Sequence, residues 1–211
     1  MQYSIHRCLA EIKLLDSKIE KATSDNVRFI GYKKNSSKGE YNTHMSDEDF
    51  ANNVKSNYDS VIALINRRKE IKEAVTNSNA VTKVTIANKS YTVAGAIERK
   101  NSIEFEKDLL YEFKSQYSEA LKIVTSKNDT MEAKLDLQIT QMIGGDNSAK
   151  NTDSINNFSK MYREQNGWNI CDPLGLYEKI EALEKEIESF ESEVDYILST
   201  SNAITMVEIS D

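Results

Sequence analysis

Glycine and proline are scarce in this chain of 211 residues, with seven glycines and one proline. The two strongest breakers of local structure are therefore almost absent, and long uninterrupted helices follow. Histidine is scarcer still: His6 and His44 stand far apart, neither with a cysteine or carboxylate at ligand spacing, so no metal site is expected. Cys8 and Cys171 form no motif; Cys8 reads as a small core residue on the apolar stripe of the first helix, and a reduced, intracellular protein is the simplest account. The sequence has no GxSxG, Walker loop or GxGxxG, and no catalytic residues are assigned. The opening MQYSIHRCLAEIKLLDSKIEKA scatters charge where a secretory signal needs an apolar core. No run approaches the ~18 apolar residues of a membrane span. The expectation is a soluble protein of the (host) cytoplasm, without a membrane partner.

The charge balance is acidic, net -7. That disfavours unaided binding along a nucleic-acid polymer, which needs a basic face.

Apolar periodicity supplies most of the architecture. Ile5, Cys8, Leu9, Ile12, Leu15 and Ile19 predict a first helix over 3–23. VRFIGY follows as a candidate strand, then the polar KKNSSKGEYNTH as a loop. Ser46, with Asp49 three residues on, opens a helix over 46–77. Another runs over 93–143 until Gly144-Gly145, with Ser126 to Thr130 as a candidate kink. The connection from Gly144 to Asp172 is long and polar, and Thr152 to Gln165 within it has the makings of a short helix. Asp172-Pro173 opens the last helix, 173–200, where Leu176, Ile180, Leu183, Ile187, Phe190, Val194 and Ile197 alternate by four and three. That is a heptad seam, and it predicts coiled-coil packing within the chain or between chains.

Two stretches nearly repeat: SNAVTKVTI at Ser78 to Ile86 and SNAITMVEI at Ser201 to Ile209. Each reads as a helix end, with asparagine tolerating the left-handed conformation there, followed by a period-two strand. The first continues through a turn at Ala87, Asn88 and Lys89 into a hairpin, about 81–93. A lone C-terminal strand (about 204–209) is unstable, so it is expected to join the hairpin in a three-stranded sheet whose face carries Val84, Ile86, Val207 and Ile209. The expected fold is mainly α: a single elongated antiparallel helical bundle or coiled coil, 1–211, with that sheet at one end. Its exposed seams predict a homo-oligomer.

Two segments are candidate binding sites. Val27 to His44 sets Arg28, Lys33, Lys34 and Lys38 against one acid, Glu40, and interleaves Tyr32 and Tyr41. Cations beside aromatic faces suit phosphate contact and base stacking, although the same residues suit a plain exposed loop. MYREQNGWN adds Arg163 and Trp168 as a second cation and stacking face. The ligand-binding candidates are therefore Arg28, Tyr32, Lys33, Lys34, Tyr41, Arg163 and Trp168, with a nucleotide-derived anion as ligand and no cofactor.

SNAVTKVTIANKSYTVAGAIERKNSIEFEKDLL and DPLGLYEKIEALEKEIESFESEVDYILSTSNAITMVEI resemble a group of proteins encoded by phages and prophages of Gram-positive bacteria, some labelled septicolysin. The resemblance implies a phage accessory protein. By analogy with small non-enzymatic phage proteins, it would sequester a nucleotide-like immune signal of the host. The alternative is an oligomeric coiled-coil scaffold, or an inhibitor of a host protein, with no small ligand.

Overall fold

The computed structural model describes residues 1–24, 27–32, 46–143 and 152–210. The fold is mainly α, five helices and four short strands among those residues: β1 Gln2–Ser4, α1 Ile5–Ala22, α2 Asp47–Val81, β2 Lys83–Ile86, β3 Lys89–Thr92, α3 Val93–Ile143, α4 Thr152–Asn166, α5 Leu176–Ile204 and β4 Met206–Glu208. Val27 to Tyr32 does not form the candidate strand, and Ser126 to Thr130 is helical throughout. The contacts divide the chain into two compact units, Met1–Asn101 with Ser189–Asp211, and Ser102–Glu188.

The repeated SNA stretches are the last turns of helices. α2 and α5 each continue through them, and each ends where a threonine N–H donates to the serine carbonyl four residues back, Thr82 to Ser78 and Thr205 to Ser201, both at 2.9 Å. The asparagines are not left-handed. Among the described residues, positive φ outside glycine occurs only at Ala87 (48°) and Asn88 (61°). That pair makes the two-residue turn of the β2–β3 hairpin, the primed geometry that suits strand twist.

The expected three-stranded sheet does not form. The hairpin stands as its own two-stranded sheet, with Val84 opposite Tyr91. β4 pairs instead with β1, antiparallel, setting Tyr3 opposite Val207. Val207 and Ile209 then enter a core with Ile5, Cys8, Ile12, Leu15, Ile71 and Val75, to which neither Val84 nor Ile86 belongs. The four branched residues share a pattern without sharing a face: alternation fixes which side of a strand is apolar, not which neighbour it pairs with. Ser4, the last residue of β1, also caps α1 by accepting from the Arg7 N–H at 3.3 Å.

In the first unit, the hairpin is fused to α2 and α3. The Val93 N–H donates to the Thr82 carbonyl at 2.8 Å, and Thr92 Oγ1 accepts from the Gly95 N–H at 3.0 Å. Glu193 of α5 receives the Ala87 N–H at 2.8 Å. Phe190, buried, meets Tyr91 edge-on with ring centroids 5.8 Å apart, and the Arg99 guanidinium lies 4.7 Å from its ring centre. On α2, Arg67 binds Glu11 and Glu70 at 3.3 and 3.2 Å. Glu70 in turn accepts the Ser210 N–H at 3.0 Å, which fastens the segment after β4.

In the second unit, α3 and α5 run antiparallel. Lys114 pairs with Glu184, while Tyr117, further along α3, meets Tyr177, earlier on α5, at 6.1 Å between rings. The heptad seam of α5 is consumed inside the chain: Ile180, Ile187, Phe190 and Val194 are all buried. The helix starts later than expected, at Leu176. Asp172 and Pro173 form a turn before it, in which the Asp172 carboxylate accepts the N–H groups of Leu174 (3.2 Å) and Leu176 (2.6 Å).

Candidate functional site

The sequence-derived candidates separate. Arg28 and Tyr32 lie exposed in the first unit. Lys33, Lys34 and Tyr41, with Lys38 and Glu40, lie outside the described residues. Arg163 and Trp168 belong to the second unit, and there a short stretch of α3 holds both.

Gly167 ends α4, its N–H bonded to the Arg163 carbonyl at 2.9 Å. A β-carbon at Gly167 would stand 2.6 Å from that carbonyl oxygen, so the close approach requires glycine. The chain emerges onto Asn128 of α3, whose side-chain amide clasps the Trp168 backbone from both sides: Nδ2 donates to its carbonyl at 2.9 Å, and Oδ1 accepts its N–H at 2.8 Å. The indole is thereby fixed at its root while 51% of the residue remains exposed. The Lys127 ammonium stands 5.4 Å from the ring centre.

One turn on, Arg163 Nε and Nη2 donate to the two Glu132 oxygens at 2.7 and 2.9 Å. This fork geometry raises the arginine pKa and lowers that of Glu132, each chiefly through the hydrogen bonds of the pair. An incoming phosphate would have to compete with that carboxylate for the guanidinium, so the cation that faces the indole is Lys127. Sequence reasoning passed over Lys127 and Asn128 because they sit in Ser126 to Thr130, which reads as a polar kink or fray point, and Glu132 lies just beyond that run; only the fold brings the three against α4 and the segment that leaves it.

A second feature lies on α3 itself. With α5 and α4 packed against it, α3 still presents large apolar side chains outward, Phe105 at 77% exposure, Leu109 at 47%, Ile123 at 47% and Leu137 at 64%. A shallow recess along the same helix, lined by Leu121, Lys122, Thr125, Ser126, Asp129 and Thr130, has all its walls on one element and encloses nothing.

Among the described residues no three histidine, cysteine or acidic side chains gather as a metal site, and no helix is long and apolar enough to cross a membrane. Set against protein-family models, curated proteins and solved structures, the chain matches none.

Proposed function

We propose that this chain is a non-catalytic binding protein of the phage accessory type, a helical scaffold that acts through protein–protein association at the outer face of α3. One observation carries the reading. α3 has satisfied its inner face with α5, yet it still exposes Phe105, Leu109, Ile123 and Leu137 along a separate line. Exposed large apolar groups in register on one helix are what a helical protein interface requires.

A second reading is favoured by the fixed, half-exposed Trp168 under the Lys127 ammonium: capture of a nucleotide-like immune signal by stacking and charge, without turnover. The two separate in one experiment. Phage carrying variants of this protein are plated on a host with active nucleotide-signalling defence. The first reading expects Phe105→Asp with Leu109→Asp to abolish protection and Trp168→Ala to preserve it. The reverse result overturns the first reading in favour of the second, and a ligand recovered unchanged from heat-denatured protein would then identify the captured signal.

A further inference from the structure

The outer line of α3 is its own complement. At about 100° per residue, Phe105, Leu109, Ile123 and Leu137 fall within roughly 40° of one line along the helix. Leu109 and Leu137 stand equally far, two heptads, on either side of Ile123. Between the apolar positions the same line carries charge, and the charge changes sign at Ile123. Glu112 and Glu119 precede it; Lys127 and Lys134 follow it; all four are exposed.

We infer that the protein forms a two-fold symmetric dimer in which the outer faces of two α3 helices pack antiparallel, with Ile123 on the axis. The inference rests on the reading of that face as the working surface and names its occupant, a second copy of this chain. Under such an axis, a residue a given number of places before Ile123 meets the residue the same number after it in the other copy. Leu109 then meets the partner's Leu137, Glu119 meets the partner's Lys127, and Glu112 meets the partner's Lys134. Each contact occurs twice, giving four opposite-charge pairs around a central apolar contact. Parallel packing in register would set Glu112 against the partner's Glu112 and Lys134 against the partner's Lys134, so the charges select the antiparallel arrangement. From Phe105 to Gln141 the line extends about 54 Å at 1.5 Å per residue, long enough for a continuous helix pair.

The test is sedimentation velocity on the whole chain. Wild type is expected to sediment as a dimer at micromolar concentration. An acidic variant, Lys127→Glu with Lys134→Glu, and a basic variant, Glu112→Lys with Glu119→Lys, each turn four attractions into repulsions and should weaken self-association roughly 100-fold. An equimolar mixture of the two should dimerise again, and so should the chain carrying all four substitutions; this recovery also shows that the variants fold. In a Cys171→Ser background, Ile123→Cys should oxidise to a covalent dimer, whereas Leu109→Cys should cross-link to Leu137→Cys and not to itself. A monomeric wild type, single-sign variants that dimerise like wild type, a mixture that does not recover, or self-cross-linking of Leu109→Cys would each overturn the dimer. If the dimer fails while Phe105→Asp with Leu109→Asp still abolishes protection, the outer face serves a different protein and the functional reading survives alone.

Discussion

Phe190→Ala should remove the largest fully buried side chain from the joint between the hairpin and α5. A buried phenylalanine cut to alanine costs about 3–5 kcal/mol, from lost transfer energy and the cavity left behind. The upper part of that range applies here. The ring bears the Arg99 guanidinium 4.7 Å from its centre and the edge of Tyr91 at 5.8 Å, contacts worth about 1 kcal/mol that alanine cannot make. Phe190→Leu keeps most of the volume and loses the ring, so it should cost about 1.5 kcal/mol. Urea unfolding followed by helical circular dichroism, at fixed protein concentration, measures both as shifts in midpoint at constant slope. The reasoning fails if Phe190→Ala costs less than about 1 kcal/mol, or if Phe190→Leu costs as much as Phe190→Ala.

Other outcomes follow from local geometry. Ala87 holds φ at 48°, a region that disfavours any β-carbon, so Ala87→Gly should raise stability by about 0.5–1 kcal/mol in thermal melts, while Ala87→Val should lower it. The Glu70 carboxyl is held below its ordinary range, first by the Ser210 hydroxyl and then by the Ser210 N–H and Arg67. Its contribution is therefore present above the unfolded-state pKa and lost as pH falls through the lower folded value. The stability gap between wild type and Glu70→Gln, measured by urea titration, should narrow on going from pH 7 into that acid window. Gly167→Ala forces the chain away from the Arg163 carbonyl and off the Asn128 clasp, which the emission of Trp168, the sole tryptophan, should report as a red shift and lower anisotropy. Cys8 is buried, and burial leads the causes that raise its thiol pKa, whereas Cys171 is exposed; a thiol reagent should label one cysteine in the native protein and two in urea.

The heptads of α5 were legible because Ile180, Ile187, Phe190 and Val194 repeat strictly over several turns, and such a period has one physical solution. The doubled SNA stretches were legible as helix ends but not as helix interiors, since asparagine propensity gave way to tertiary burial of Ser201 and half-burial of Ser78. β1 could not be read at all. Gln-Tyr-Ser is too short to show a period, and its pairing with β4 depends on where the rest of the chain has carried that strand. Trp168 was visible as a stacking face, whereas its clasp by Asn128 and its neighbour Lys127 belong to the packing of α3 against the segment leaving α4. The outer line of α3 was hidden for a different reason: a stripe search rewards apolar continuity, and this line alternates leucine and isoleucine with charge.

The pairing of Gln2 with Glu208 has a kinetic corollary. The α2–hairpin–α3 segment can condense from neighbours in sequence, but Gln2 and Glu208 stand 206 residues apart and meet only after the chain between them has been threaded into place. Loop closure over so long a span makes their zipping a late event. During synthesis on the ribosome, Gln2 to Ser4 must therefore wait, edge unsatisfied, until β4 emerges, and native-state hydrogen exchange should find this seam among the first to open.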